Sequence, residues 1–106
     1  MALRKVVAII RNETLEKVEG KLVELQVKGI SETKVKGYGE YANFFKSDWM
    51  VTHSKLEIFT EEKMADQIAD AIMEVAHTGL EGDGIVAVLP VLKLYRIRTK
   101  KEVLPE

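Results

Sequence analysis

At 106 residues, with 46% apolar and 31% charged side chains, the chain has the make-up of one globular domain, 1–106, with a small core. Sixteen basic against seventeen acidic residues leave a formal charge of −1, which excludes a general electrostatic pull toward nucleic acid or an acidic membrane surface. The lack of cysteine excludes disulfides and thiolate metal sites. No apolar run approaches the ~18 residues of a spanning helix, so the chain reads as cytoplasmic, without direct membrane insertion.

Leu3 to Ile10 is dense in β-branched residues and reads as a central strand buried on both faces. Apolar spacing then becomes helical at Leu15, Val18, Leu22 and Leu25, with Thr14 as N-cap, Glu16 in the first turn and Gly29 as the stop. Gly20 falls inside this helix, either at a close packing contact or on the solvent face. From Ser31 to Tyr38 the pattern alternates, with Ser31, Thr33 and Val35 opposite Glu32, Lys34 and Lys36, as in a strand with one wet side. Gly37 and Gly39 break it.

The segment from about 40 to 52 has no clear period and carries Tyr41, Phe44, Phe45 and Trp49. Its rings either fold back as a lid on the core or contact a partner or ligand. A strand pattern resumes from His53 to Phe59, and Thr60 reads as the cap of a second helix whose buried stripe is Met64, Ala65, Ile68, Ile72, Val75 and Ala76. His53 and His77, the two histidines, read as surface or helix-end residues rather than metal ligands. After His77 comes Thr-Gly-Leu-Glu-Gly-Asp-Gly, residues 78–84, which holds three of the seven glycines. Such a stretch can turn successive amide N–H groups toward one anion, or it can simply end the helix at Gly79 and turn at Asp83-Gly84. The apolar run from Ile85 to Leu94 is interrupted by Pro90, which argues for an edge strand or a break. The tail from 99 to 106 is polar and is expected to order only if something holds it.

The resulting order, strand, helix, strand, strand, helix, strand, is the α+β ferredoxin-like βαββαβ arrangement, with two helices on one face of an antiparallel sheet. The loop pattern Thr-Gly-x-x-Gly-Asp-Gly resembles that of the PII superfamily of signalling proteins. Val35-Lys36-Gly37-Tyr38-Gly39, Lys55-Leu56-Glu57-Ile58, Arg96-Ile97-Arg98-Thr99 and the opening Val6 to Arg11 resemble the family in the same order.

The resemblance implies a homotrimer with facing sheets and an adenine nucleotide (ADP, AMP, ATP or cyclic AMP, with magnesium as an optional companion) held between subunits. By matching position, Gly79, Gly82, Asp83 and Gly84 would form the phosphate loop, and Arg96 and Arg98 would add charge. Gly37 and Gly39 would admit base and ribose, while Ile58 and Phe59 would lie near the adenine. Read as a strand, Arg96-Ile97-Arg98 places both guanidinium groups on one face, either to clamp a phosphate or as a solvated edge paired with carboxylates.

The departures are as informative. Ile85 and Leu80 stand where the family carries basic residues, and Glu81 adds an anion beside the loop. This combination favours ADP, AMP or a cyclic nucleotide over ATP. The loop at 40–52 is shorter than the family's effector loop, and Tyr41 replaces the glutamine tied to metal and 2-oxoglutarate, so neither that response nor tyrosine modification carries over. Tyr41, Phe44, Phe45 and Trp49 are the expected contact for a partner such as a transporter or metabolic enzyme. No nucleophile motif or Walker loop is present, and no catalytic or metal-ligating residue is expected. The alternatives are a trimeric module for a small anion or metal with a decayed nucleotide site, and a nucleotide-hydrolysing enzyme dependent on Asp83.

Overall fold

The computed structural model describes residues 2–37 and 51–104. Elements run β1 (Leu3–Ile10), α1 (Leu15–Glu24), β2 (Ser31–Gly37), β3 (Val51–Glu61), α2 (Glu62–Ala76), β4 (Gly84–Val91), β5 (Tyr95–Arg96) and β6 (Lys101–Glu102). The first four strands form one antiparallel sheet in the order β2-β3-β1-β4, and β5 pairs with β6 as a separate two-stranded ribbon. This is the expected ferredoxin-like α+β fold. β1 is central, and Pro90 lies in β4 at the sheet edge, where a missing N–H is tolerated.

Both helices cover one face of the sheet. Val6, Ala8 and Ile10 of β1 and Leu56 and Ile58 of β3 pack with Val18 and Leu22 of α1 and Ala65, Ile68, Ile72 and Ala76 of α2. Met64 and Val75 pack partly buried against this cluster, so the helical stripe read from the sequence is the observed one. The expectation that β1 is buried on both faces is corrected. Its other face carries Lys5, Val7 and Ile9, which are half-buried because neither helix packs there.

The remaining corrections are local. α1 stops at Glu24 rather than at Gly29, and the chain reverses at Gln26 with φ +63°. Val27 N–H donating to the Leu22 carbonyl closes that reversal. The Thr14 hydroxyl caps no helix amide; it donates to the Arg11 carbonyl across a 3₁₀ turn at Asn12–Thr14. β3 begins two residues earlier than read, at Val51, and runs on to Glu61, which takes the N-cap position in place of Thr60. Gly20 is exposed, with nothing within 4 Å of an added Cβ, which settles it on the solvent face. The tail is not uniformly free. Lys101–Glu102 pairs back onto Tyr95–Arg96, and Val103 N–H donates to the Leu94 carbonyl.

Candidate functional site

The loop at 78–84 sits at the end of the sheet where β1 finishes, because Gly84 pairs with Ile10. Gly79, Gly82 and Gly84 all have positive φ, at 86°, 91° and 114°. That conformation is the reason for glycine at these three positions. Asp83 is the loop's fastener. One carboxylate oxygen accepts from the backbone N–H of Thr78 at 2.8 Å and of Gly79 at 2.9 Å. The other accepts from the Thr78 hydroxyl and from Arg11 Nε at 3.1 Å. Burial opposes the charge on Asp83. The Thr78 hydroxyl, the two amides and Arg11 outweigh it, holding the carboxyl well below the usual carboxylate range.

Two side chains reach this loop from the sheet. Arg11, just past β1, also donates through Nη2 to the Glu81 carbonyl. His53, from the start of β3, lies 3.1 Å through Nε2 from the Gly82 carbonyl and is only 2% exposed. The reading of His53 as a surface residue is thus corrected: odd-numbered β3 residues face away from the helices, and the glycine loop closes over this one. On the helix-covered face at the same end of the sheet, Asn12 Nδ2 donates to the Thr52 carbonyl at 3.2 Å, and the buried Ser54 hydroxyl donates to Asn12 Oδ1 at 2.7 Å. Lys34 Nζ joins that second group, donating to Ser54 Oγ at 2.9 Å. Neither His53 nor Arg11 could be singled out from the sequence, since their partners lie 29 and 72 residues away. Gly37 closes β2 at this same end, opposite Val51.

The opposite end of the sheet carries a cleft of about 670 Å³. Its walls come from the α1–β2 connection (Val27, Gly29, Ile30), the end of β3 (Ile58, Phe59, Thr60), α2 (Met64, Ile68) and the tail (Leu94, Arg96, Val103). Phe59 is half exposed there, and the Lys5 ammonium sits 5.7 Å from its ring centroid. Lys5 also pairs with Glu57, and this bond, the largest influence on Glu57, helps hold that carboxyl below its usual range against a smaller burial penalty. Ile58 contributes only a wall, being 1% exposed and part of the core. The strand reading of Arg96-Ile97-Arg98 is corrected too. β5 ends at Arg96, and 97–100 form a turn with Lys100 at φ +59°, so the two arginines do not share a strand face.

The residues singled out from the sequence therefore fall into two groups. Gly37, Gly79, Gly82, Asp83 and Gly84 gather where β1 ends, and Ile58, Phe59 and Arg96 gather where it begins, with Arg98 in the turn that follows β5. Seven residue steps of β1 separate the ends, roughly 23 Å at ~3.3 Å per residue. Gly39, Tyr41, Phe44, Phe45 and Trp49 lie outside the described residues. Among the described residues no group of three or more His, Asp or Glu side chains is placed to hold a metal ion, and no helix is long and apolar enough to cross a membrane.

Comparison with known proteins places this geometry in a family. The model of the nitrogen regulatory protein P-II family matches residues 3–101. The chain is 34% identical to the nitrogen regulatory protein P-II of Azospirillum brasilense, covering 92% of this chain and 93% of that one. It is 33% identical to nitrogen regulatory protein P-II 1 of Escherichia coli K12, covering 94% and 96%. Among solved structures, Arabidopsis thaliana PII bound to citrate superposes with a TM-score of 0.81 at 29% identity, covering 96% of this chain and 86% of that one. Members of this family are regulatory signalling proteins that act on partner proteins. The chain belongs to the nitrogen regulatory protein P-II family.

Proposed function

We propose that the chain is a nucleotide-sensing regulator in which an adenine nucleotide lies between two copies, phosphates on the 78–84 loop of one and base in the cleft of the other. The observation that carries this reading is the separation of the two groups of site residues to opposite ends of β1. A nucleotide is too short to span both within one chain, so a ligand touching both needs a second copy whose cleft lies beside the first copy's loop. The helix-free sheet face offers the surface for that assembly. Val7 of β1 shares it with Ala87 and Leu89 of β4, and Leu89 is 41% exposed. Facing sheets in a homotrimer would bury them.

The charge around the loop supports ADP, AMP or cyclic AMP over ATP, with magnesium optional. Leu80 and Ile85 bring no cation, and Arg11 is already committed to Asp83 and the Glu81 carbonyl. The positive charge for phosphates then comes from Arg96 and Arg98 across the interface. The regulator acts in the cytoplasm on a partner such as a transporter or metabolic enzyme, presenting the 40–52 segment with Tyr41, Phe44, Phe45 and Trp49. Ligand binding controls that partner only to the extent that it binds one conformation more tightly. No residue has a catalytic role in this reading.

Calorimetric titration with ATP, ADP, AMP and cyclic AMP, with and without magnesium, tests it. The expected result is micromolar binding, weakest for ATP and lost in Arg98→Ala; no binding of any of the four would refute it. One observation favours a second reading, a module for a small anion: the similar Arabidopsis protein has citrate bound. Stabilisation by citrate or bicarbonate with no nucleotide effect would select that reading.

A further inference from the structure

The glycine loop is gripped from beneath by two side chains on consecutive peptide planes. Arg11 Nη2 donates to the Glu81 carbonyl and His53 Nε2 lies 3.1 Å from the Gly82 carbonyl. A carbonyl oxygen can only accept, so the His53 ring carries its proton on Nε2 in this contact. In a trans peptide the N–H points opposite to the C=O, and no peptide bond here is cis. Holding the Glu81 carbonyl toward Arg11 thus turns the Gly82 N–H to the other side of the loop. Holding the Gly82 carbonyl toward His53 does the same for the Asp83 N–H. Both donors are themselves fixed. His53 is 2% exposed, and the Arg11 side chain, 12% exposed, is tied by its Nε to Asp83.

We infer that His53 and Arg11 are positioning residues that preset the Gly82 and Asp83 amides as an anion cradle before any ligand arrives. The inference rests on the reading of this loop as a phosphate site. It goes beyond that reading by assigning the orientation of the cradle to two side chains outside the glycine motif. Preset donors lose no reorganisation energy when the anion binds, so loosening a peptide plane weakens binding without removing any group that touches the ligand. Gln at position 53 keeps an N–H at similar reach, whereas Phe fills the same buried space with no donor.

The test is a titration of the wild-type chain, His53→Gln, His53→Phe and Arg11→Met with inorganic phosphate and with AMP, followed by backbone amide ¹H–¹⁵N shifts. Wild type is expected to show saturating shifts at Gly82 and Asp83. His53→Gln is expected to stay within about threefold of wild-type affinity, and His53→Phe and Arg11→Met to lose at least tenfold while keeping the dispersed spectrum of the fold. Unchanged affinity in folded His53→Phe, or no response of the Gly82 and Asp83 amides to either anion in wild type, would overturn the inference. Should His53→Phe fail to fold, Arg11→Met and the wild-type shifts decide. Calorimetric AMP binding without these amide shifts would sink the cradle and leave the nucleotide reading intact. Phosphate shifts without nucleotide binding would do the reverse.

Discussion

Gly84 is the position where one added methyl group separates two accounts of the glycine motif, one in which its last glycine serves a ligand and one in which it serves the fold. A Cβ at Gly84 would lie 1.8 Å from the Ile9 carbonyl oxygen, 2.9 Å from its carbonyl carbon and 3.3 Å from the Ile10 Cα. All three are backbone atoms of β1, so no side-chain rotation relieves the overlap. The backbone φ of 114° adds strain for any L side chain, about 1–3 kcal/mol. Moving the start of β4 away from Ile10 sacrifices ladder hydrogen bonds at about 1 kcal/mol each. Gly84→Ala should therefore cost roughly 3–5 kcal/mol, a large share of the ~5–15 kcal/mol typical of a domain.

Urea and thermal unfolding at matched protein concentration, without ligand, measure this, with a fall in Tm of roughly 12 °C or more expected. Gly20→Ala is the control: the position is exposed, helical and open, so it should gain about 0.5–1 kcal/mol. A ligand-free Gly84→Ala chain within about 1 kcal/mol of wild type would refute the reasoning and return this glycine to the ligand.

Three further outcomes follow from particular contacts. Ile58→Ala should cost about 2–5 kcal/mol in urea unfolding, because the side chain fills the core rather than facing a ligand; a loss confined to nucleotide affinity would contradict this. The folded-state pKa of Asp83 lies below its unfolded value near 3.9, so its contribution is fully present above that value and is lost as pH falls toward the folded one. Asp83→Asn should cost about 1.5–3 kcal/mol at pH 7 and flatten the fall in stability below about pH 4; an unaltered acid limb would rule out this source. Ile85→Lys should raise ATP affinity more than AMP affinity, read by calorimetry, and an equal change for both would deny that residue 85 meets the outer phosphates.

How far the sequence is legible differs between fold and site. Period-2 alternation in β3 and the 3.6 period of α2 are local signals, and both elements are where those signals put them, within two residues. Pro90 marks the edge because a missing N–H is itself a local property. His53 carries no such signal. It occupies an ordinary alternating position, and what buries it is a loop 29 residues away. Arg11 likewise reads as a charge after a strand until Asp83 is brought against it. Arg98 misled because Arg-Ile-Arg alternation resembles a strand, whereas Lys101 and Glu102 fold back on Tyr95 and Arg96 and force a turn between them. The three loop glycines were legible as backbone positions, but the collision that fixes Gly84 depends on the β1–β4 register, which is tertiary.

The central claim is that the two ends of the sheet meet across copies to make one site, and mixed assemblies test it most directly. One chain would carry Arg96→Ala and Arg98→Ala, the other Leu80→Glu and Ile85→Glu beside the glycine loop, each alone expected to lose AMP binding. If the site is shared between copies, co-refolded mixtures must regain calorimetric AMP binding at wild-type affinity, at a stoichiometry below one per chain. Mixtures that exchange subunits yet stay silent would contradict the shared site and place any ligand within a single chain.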